Sequence, residues 1–264
     1  MTSHIKCIDC IEGMKELPDN SIDLTVTSPP YDDLRNYNSI IDFKEVIHQL
    51  YRITKEGGVV VWNVNDRIKD GSKTLTSFRQ AIMFQEEGFN VNDVMIWKKV
   101  NSMPQVSQPR YNQCFEYMFV FSKGKPKTFN PIMVECKSAG LEYKSTAKQI
   151  TGDKDRIYKE FTINDKKVAD NIWEFAVAQN KTEHPAVFPE ELPFRHIKTW
   201  TNEGDIVFDP FLGSGTTALV AKDMGRIYIG FEIDEKYFKI AEDRLKAKYN
   251  LFDAIEETKD EQLC

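Results

Sequence analysis

The residues Ser28-Pro29-Pro30-Tyr31 form the segment of this chain whose residue types are best suited to chemistry. They directly follow the apolar run 22–26, which predicts a β-strand. Because proline fixes φ and has no N–H, the backbone here presents carbonyl acceptors in a fixed geometry. The ring of Tyr31 adds a face on which a flat group can stack. These features suit a planar substrate with an exocyclic amino group, such as a nucleobase, although a strand-to-loop turn with a buried tyrosine explains the motif equally well.

A glycine-containing loop at residues 208–218 is the second segment that could do chemistry. It follows a predicted strand and opens a predicted helix. Gly213 and Gly215 would let a ligand approach the backbone, and the helix N-terminus would supply N–H donors. Glu232 stands nineteen residues after Gly213, at the end of the next predicted strand. A carboxylate at that place can accept hydrogen bonds from both hydroxyls of a ribose.

Three classes of ligand compete for this loop. A nucleotide phosphate held by a P-loop requires a lysine after the glycines, and none follows them. A dinucleotide is a genuine rival, because Gly213, Gly215 and Ala218 match the GxGxxG/A spacing. Against it, only thirty-two residues follow Glu232, and Asp209 would repel a pyrophosphate. S-adenosylmethionine fits better, because Asp209 can face its cationic amino-acid end while Glu232 takes its ribose.

The elements that must position these motifs alternate along the chain, which predicts an α/β fold with a mostly parallel sheet. Predicted strands cover residues 5–8, 22–27, 59–64, 91–97, 115–121, 206–209 and 227–232, and predicted helices cover 43–53, 75–87, 192–201, 216–224 and 235–249. Gly57-Gly58 and Gly88 are predicted to end the first two helices. The alternation lapses over residues 123–183, which predicts an insertion.

The composition is that of an ordinary globular protein whose basic residues are unevenly placed. The 264 residues carry a formal net charge of −6, yet residues 123–167 hold eleven Lys or Arg against six Asp or Glu. That segment is either a solvated loop or a module that contacts phosphates. Five scattered cysteines predict reduced thiols in a cytosol, with Cys7 and Cys10 an incidental pair. Because neither an eighteen-residue apolar run nor a signal-peptide core is found, no membrane span is expected.

Taken together, TSPPY and FDPFLGSGTT resemble the amino-group DNA methyltransferases of bacterial restriction–modification systems, which modify cytosine N4 or adenine N6. The SPPY motif comes first, the basic insertion next and the glycine loop last, an order that resembles the β class of these enzymes. The resemblance implies a circularly permuted Rossmann-like sheet of about seven strands with helices on both faces, ending in an antiparallel hairpin. It also implies a catalytic half at 1–122, a target-recognition insertion at 123–183, a cofactor half at 184–250 and an acidic tail at 251–264.

The resemblance further implies a role for each matching residue. Ser28, by its side chain or carbonyl, and the Pro29 carbonyl would accept the amino hydrogens. Tyr31, after Pro30, would stack on a base flipped out of the duplex. The residues expected to bind S-adenosylmethionine are Asp9, Cys10, His184, Pro185, Phe188, Asp209, Pro210, Phe211, Gly213, Ser214, Gly215, Thr216 and Glu232. The residues expected to contact DNA are Arg110, Lys123, Lys125 and Lys127. No metal is expected, because the sulfonium already makes the methyl group electrophilic.

Residues 101–116 resemble the family segment that reaches toward the flipped base. Arg110, Tyr111, Asn112 and Glu116 are the polar and aromatic residues that lie there. A polar loop with one buried Glu–Arg pair is the alternative interpretation.

Serine at the first position of the SPPY motif favours cytosine N4 as the target, because DPPY is the usual form in the adenine N6 enzymes of this family. Adenine N6 is the first alternative. Methylation of RNA or of a protein glutamine is more remote, since those families place the two loops in the reverse order. A DNA-binding protein without catalysis would not be expected to keep both motifs. The expected partners are double-stranded DNA and a cognate restriction endonuclease, in a bacterial cytoplasm, with monomer and homodimer both open.

Overall fold

The computed structural model describes residues 1–30, 41–102, 109–147, 157–177 and 189–247. The chain forms two compact units. The larger unit comprises Met1–Asn130 together with Asn171–Cys264, and the smaller unit is Pro131–Asp170. In the described part of the chain, no helix is long and apolar enough to cross a bilayer.

The strands and helices follow one another in close agreement with the predicted alternation. The strands are β1 His4–Cys7, β2 Ile22–Thr27, β3 Thr54–Val64, β4 Ile68–Lys69, β5 Ser72–Lys73, β6 Asn90–Lys99, β7 Phe115–Ser122, β8 Met133–Glu135, β9 Glu142–Ala147, β10 Ile157–Thr162, β11 Lys166–Val168, β12 Ile172–Phe175, β13 Ile206–Asp209 and β14 Ile227–Glu232. The helices are α1 Cys10–Lys15, α2 Phe43–Ile53, α3 Thr76–Glu87, α4 Glu191–Trp200, α5 Thr216–Asp223 and α6 Glu235–Lys246.

Eight strands form the central sheet in the order β1-β14-β13-β2-β3-β7-β6-β12. The five strands from β1 to β3 in that order are parallel, whereas β7 runs antiparallel to both β3 and β6. The predicted fold class and the antiparallel hairpin are therefore confirmed. So is the pairing of the late strands β13 and β14 with the N-terminal strands β2 and β1.

The centre of the sheet is buried on both faces, as expected for parallel strands covered by helices. Val60, Val61 and Trp62 of β3 are fully buried, as is Leu24 of β2. Helices α1, α2 and α3 share one apolar core with the sheet, and α4, α5 and α6 contact one another in sequence against β2, β13 and β14. Apolar runs such as Val59–Val64 are long because both of their faces are covered.

Strand β12 makes the sheet one strand larger than predicted, and it lies within the predicted insertion. It pairs parallel to β6. Trp173 and Phe175 are buried, and Phe175 stacks on Trp97 of β6 with ring centroids 5.4 Å apart. A four-residue alternating pattern between polar segments is a weak strand signal. The smaller compact unit is Pro131–Asp170, so β12 belongs to the larger unit.

The predicted end of the first long helix at Gly57-Gly58 is wrong. Helix α2 ends at Ile53, Thr54 is already extended, and both glycines lie within β3. The Gly57 N–H donates to the Lys123 carbonyl at 2.7 Å, and the Lys127 N–H donates to the Gly57 carbonyl at 3.0 Å. Gly57 thus lies where the start of β3 forms hydrogen bonds with the segment 123–127, and neither glycine ends a helix. Gly88 does end α3, in the left-handed conformation.

The smaller unit is built from two antiparallel pairs, β8 with β11 and β9 with β10. Its sequence contains eight Lys or Arg and seven Asp or Glu, so it is close to electrically neutral. Most of the positive excess predicted for the insertion therefore stands before Pro131. The charge pattern alone does not mark this unit as a phosphate-binding module.

Helix α4 carries a fully buried histidine. The His196 ring lies against Trp173, with ring centroids 4.7 Å apart. Neither of its ring nitrogens has a hydrogen-bond partner among the described residues. Burial, with a smaller contribution from the neighbouring Arg195 charge, lowers the pKa of His196 to about 3. The folded protein therefore holds this imidazole in its neutral form.

We predict that His196 makes the fold less stable as the pH falls below its unfolded pKa of about 6.5. Between that value and about 3 the unfolded chain binds a proton that the folded chain does not, so stability is lost as acid is added. The contribution at pH 5 is on the order of 2 kcal/mol. Urea unfolding at pH 7.5 and pH 5 should show a larger loss for the wild type than for His196→Leu. Equal losses in the two proteins would contradict the prediction.

Candidate active site

The candidate active site lies between the neighbouring strands β13 and β2. At this point the order in which the chain adds strands to the sheet reverses direction. From β13 the chain continues to β14 on one side, whereas from β2 it continues to β3 on the other side. Such a reversal leaves a crevice outside the carboxyl ends of the two strands, where ligands of α/β proteins bind. The SPPY motif follows β2 and the glycine loop follows β13. Two motifs nearly two hundred residues apart in sequence therefore flank one crevice.

A buried hydrogen bond joins the two strand ends. The Thr27 hydroxyl donates to Asp209 Oδ1 at 2.6 Å, across 182 residues of sequence. The Phe211 N–H donates to the same oxygen at 3.1 Å, and the Thr217 hydroxyl donates to the Val26 carbonyl at 3.2 Å. These contacts fix the start of the glycine loop against the last residue before Ser28.

Asp209 is an unusual carboxyl group because it is almost completely buried. Burial raises its pKa to about 7, against the hydrogen bonds from Thr27 and Phe211, which lower the pKa. Its Oδ2 atom is buried and has no hydrogen-bond partner in the described part of the chain. An orphaned buried carboxylate oxygen is the arrangement that a cationic ligand group would complete. This fits the prediction that Asp209 faces the charged end of the cofactor.

The structure describes the first three residues of the SPPY motif. Pro29 is buried, whereas Ser28 and Pro30 are half-buried directly after β2. Their backbone thus leaves the sheet at the crevice, as predicted. Tyr31 lies outside the described residues, and so do His184, Pro185 and Phe188 of the predicted cofactor set.

The glycine loop closes tightly onto the start of α5. The Gly215 N–H donates to the Leu212 carbonyl at 2.9 Å, and Gly215 caps the helix with φ +83°. A Cβ on Gly215 would lie 2.9 Å from the Ala241 Cβ of α6. Glycine is therefore required here both by conformation and by close packing. Gly213, the other glycine of the loop, donates its N–H to Glu232 Oε2 at 2.7 Å.

Arg244 of α6 braces the loop from behind, a role that the spacing of the motif does not reveal. Its guanidinium donates to the Ser214 carbonyl at 2.7 Å, to the Ser214 hydroxyl at 3.0 Å and to the Thr216 hydroxyl at 3.2 Å. It also pairs with Glu190 at 3.2 Å, and burial lowers its pKa. The Ser214 and Thr216 side chains, predicted to bind the cofactor, therefore accept hydrogen bonds from within the protein.

Glu232 stands at the end of β14, where its carboxylate is oriented by two backbone donors. Oε2 accepts from the Gly213 N–H, and Oε1 accepts from the Asp234 N–H at 2.9 Å. The side chain is 7% exposed. Carboxylate oxygens accept the hydrogen bonds that ligand hydroxyls donate. Its position beside the glycine loop agrees with the predicted ribose site.

Asp9 and Cys10 lie next to Glu232 because β1 is the parallel neighbour of β14. Cys7 is in register with Glu232, and the Ile8 N–H donates to the Glu232 carbonyl at 2.9 Å. The Asp9 carboxylate caps α1 by accepting from the Ile11 and Glu12 N–H groups, at 2.9 Å and 3.2 Å. Burial raises the pKa of the Cys10 thiol to about 12, with the Asp9 charge adding to the shift. Such a thiol packs as an apolar side chain.

Pro210 and Phe211, which are predicted to bind the cofactor, pack into the fold at the start of the glycine loop. Pro210 is buried, and Phe211 meets the Trp62 ring edge-on with centroids 6.1 Å apart. Phe211 thereby links the glycine loop to β3 on the far side of β2. All described residues of the predicted cofactor set thus lie at the carboxyl ends of β1, β14 and β13.

Glu116 is buried and forms an ion pair with Lys99. Lys99 Nζ lies 2.6 Å from Glu116 Oε1, and Asn63 Nδ2 donates to Oε2 at 2.7 Å. Arg110 instead donates to the Gly71 carbonyl. Tyr111 is fully exposed beside it. The segment before β7 therefore places Arg110 and Tyr111 on the surface at the crevice edge of the sheet.

The lysines predicted to contact DNA lie beside the amino end of β3, whereas the crevice lies at the carboxyl ends of the parallel strands. Lys123 Nζ donates to Asn20 Oδ1, to the Tyr51 carbonyl and to the Thr54 carbonyl, at 2.9, 2.9 and 3.1 Å. Lys125 and Lys127 are exposed beside Gly57, at the amino end of β3 and roughly 16 Å of strand away from the crevice. Contact of these lysines with DNA stays a prediction, and their position favours other residues near the crevice.

Comparison with known proteins agrees with this geometry. A family model described as DNA methylase (N6_N4_Mtase) matches residues 22–243. The orphan methyltransferase M.BamHII of Bacillus amyloliquefaciens is 50% identical over 246 residues, which cover 88% of this chain and 92% of the relative. The structure of the M1.HpyAVI–SAM complex matches with a TM-score of 0.63 and 28% identity, covering 92% of this chain and 99% of that one.

A second solved structure extends the similarity of fold to nearly the whole chain. The PvuII DNA methyltransferase, titled cytosine-N4-specific, matches with a TM-score of 0.69 and covers 98% of this chain and 92% of its own. At 21% identity this match supports the shared architecture alone.

We predict that Gly215→Ala destabilises the protein more than Gly204→Ala, a control matched in backbone conformation. The two glycines have φ values of +83° and +82°, but a Cβ on Gly204 would meet no atom within 4 Å. Gly204→Ala should therefore cost only the conformational penalty of about 1–2 kcal/mol. Gly215→Ala should cost a further ~1–3 kcal/mol because it collides with Ala241. Urea unfolding measures both, and equal losses would show that the packing at Ala241 is irrelevant.

Proposed function

Because this chain belongs to the family of DNA methylases, we propose that it methylates the N4 amino group of cytosine at a specific sequence in duplex DNA. The observation that carries this proposal is the crevice between β2 and β13. It sets the Ser28-Pro29-Pro30 backbone beside a glycine loop and a buried carboxyl group. Transfer to an exocyclic amino group is the coarser activity on which the family and the site agree.

S-adenosylmethionine is the cofactor that the site fits. When bound, it supplies a methyl group that its sulfonium makes electrophilic. The buried Oδ2 of Asp209, without a partner among the described residues, offers a place for the cationic end. Glu232, held by the Gly213 and Asp234 N–H groups, offers acceptors for the ribose hydroxyls. The relative solved as a SAM complex supports the same assignment.

The catalytic motif would make the amino nitrogen a better nucleophile. The lone pair of that nitrogen is delocalised into the ring of the base. Acceptors for its two hydrogens favour the pyramidal form in which the lone pair is available. We assign this task to Ser28, by its hydroxyl or carbonyl, and to the carbonyl of Pro29. Tyr31 would stack on the base after it has been flipped out of the duplex.

The choice of cytosine over adenine rests on Ser28. Serine at this position is typical of the cytosine N4 enzymes that the motif resembles, and aspartate is typical of the adenine N6 enzymes. Adenine N6 is therefore the alternative substrate, and an RNA base or protein glutamine is a more remote one. A cognate endonuclease also stays a prediction, while the Bacillus relative carries the name of an orphan enzyme.

Nucleoside analysis of methylated DNA tests the proposed base directly. DNA from cells that express the chain should contain N4-methylcytosine, detected by mass spectrometry, and DNA from cells without it should not. N6-methyladenine in its place would establish the alternative base. Purified protein, tritiated cofactor and separate DNA, RNA and protein substrates test the substrate class, and label in RNA or protein alone would overturn the proposal.

We predict that Tyr31→Ala lowers turnover about 5- to 150-fold, the kinetic equivalent of a base–aromatic stack worth about 1–3 kcal/mol. Tyr31→Phe, which keeps the ring, should retain most of the activity. Calorimetry should show the same affinity for S-adenosylmethionine in all three proteins, because the ring is assigned to the base. Full activity of Tyr31→Ala would rule out the stacking role.

A further inference from the structure

A small basic cavity, named here the hairpin pocket, opens between the β4–β5 hairpin and the first turn of α3. Its volume is about 350 Å³. Arg67, Lys69, Lys73 and Arg79 line it together with three hydroxyl side chains, and Asp70 is the acidic residue of its wall. Four cationic side chains thus meet one carboxylate in a chain whose net charge is −6.

The hairpin pocket lies at the same edge of the sheet as the crevice. Strand β3 runs parallel to β2, with Trp62 in register with Thr27. Ser28 directly follows Thr27, and the hairpin begins at Ile68, shortly after β3 ends at Val64. The pocket and the catalytic motif therefore emerge from the carboxyl ends of neighbouring strands. The glycine loop follows β13, on the other side of β2, so the pocket is not part of the cofactor site.

Hydrogen bonds hold the pocket against the segment that leads into β7. Arg110 donates to the Gly71 carbonyl at the hairpin tip. Lys73 Nζ donates to Gln113 Oε1 at 2.8 Å and to the Asp66 carbonyl at 3.1 Å. Arg110 thereby adds a fifth positive charge beside the pocket. The pocket therefore adjoins Arg110 and Gln113, which precede β7.

The hairpin is a rigid support for these charges. Lys69 and Ser72 pair across a two-residue turn, in which Asp70 and Gly71 have φ values of +49° and +76°. This is the left-handed geometry that Asp-Gly turns adopt readily.

The nearby acidic group does not neutralise the pocket. The Asp66 carboxylate accepts from the Ser77 N–H at 3.0 Å and from the Ser77 hydroxyl at 2.8 Å, and so faces the start of α3. Lys69 and Arg79 are exposed and form no ion pair within the described residues. Burial lowers the pKa of Lys73, Asp66 opposes that shift, and the Arg110 charge adds to it. The Arg110 charge therefore lies close enough to Lys73 to repel it, and an anion between the two would relieve that repulsion.

We infer that the hairpin pocket binds a backbone phosphate of duplex DNA beside the flipped base, an inference that rests on the proposed methyltransferase function. Guanidinium, ammonium and hydroxyl donors around one recess are the groups that bind phosphate oxygens. Such a contact carries no base specificity, and it positions the duplex so that the target base can reach the crevice. The exposed ring of Tyr111 lies next in sequence to Arg110, on the same surface.

The test compares two pairs of charge-removing substitutions in the full-length chain. Lys69→Gln with Arg79→Gln removes two exposed cations of the pocket. Lys198→Gln with Lys239→Gln removes two exposed cations on helices α4 and α6, outside the hairpin pocket. Fluorescence anisotropy with a labelled DNA duplex gives the dissociation constant between about 50 and 200 mM salt, where phosphate contacts dominate the salt dependence. Circular dichroism and the affinity for S-adenosylmethionine confirm that each variant is folded.

The pocket pair should weaken DNA binding about tenfold or more and reduce the salt slope by about one to two, because each lost phosphate contact lowers that slope by about one. The control pair on α4 and α6 should bind as the wild type does. The double variant Lys69→Arg, Arg79→Lys should restore binding, since it keeps both charges. If the wild type methylates DNA, two results would overturn the inference but leave the proposed function intact. They are wild-type DNA binding by the pocket pair and an equal loss of DNA binding in both pairs. A wild type that neither binds nor methylates DNA would overturn the proposed function and the inference together.

Discussion

The pairing of β13 with β2 is the constraint on which the candidate active site depends. Only two residue pairs are in register between them, Val207 with Leu24 and Phe208 with Thr25. The buried hydrogen bond from Thr27 to Asp209 extends this short contact to the strand ends. Without it, the catalytic motif and the glycine loop would be two unrelated loops. In a dry environment such a bond is electrostatically stronger than in water, which compensates for the brevity of the ladder.

The two carboxyl groups of the crevice, Glu232 and Asp209, differ in the hydrogen bonds that their oxygens accept. Glu232 has a backbone donor on each oxygen and is oriented before any ligand arrives. Asp209 has one oxygen with donors, whereas its other oxygen is buried without a partner among the described residues. Leaving such an atom unsatisfied typically costs about 1–3 kcal/mol. Sites that bind charged ligands commonly store a cost of this kind and recover it on binding. A cation at this oxygen would also favour the ionised form of Asp209.

Much of the fold and of the site could be predicted because both depend on local patterns. The apolar run before Ser28 and the glycines before α5 mark the carboxyl ends of strands, and parallel strands bring such ends together. Strand β12 is not predicted because four residues are too few to show the alternation of polar and apolar side chains that marks a strand. Its burial also depends on Trp97, which is distant in sequence. The prediction that Gly57 ends a helix is wrong because the glycine is required by the close approach of Lys127, which is distant in sequence. Arg244 braces the loop through spatial contacts that no sequence spacing encodes.

The charge pattern along the sequence and the direction of the strands point to different basic residues. Counting Lys and Arg along the chain selects residues 123–127, but the sheet places them at the edge away from the crevice. The pocket cations are spread over residues 67–79 and are interrupted by acidic and hydroxyl residues, so they produce no conspicuous run. The two-residue turn at Asp70-Gly71 brings these cations together in the folded chain. The direction of the strands, rather than the density of charge, decides which basic residues face the crevice.

The distance in sequence between β2 and β13 has a consequence for synthesis on the ribosome. Thr27 emerges early, whereas its partner Asp209 follows 182 residues later. At roughly 5–20 residues per second, this delay is about 10 to 40 s. Throughout that interval one edge of the apolar strand β2 has no partner strand, and unpaired apolar edges favour aggregation. The nascent chain therefore reaches its most vulnerable state well before the cofactor half exists, and a chaperone that shields β2 would act on the N-terminal half alone.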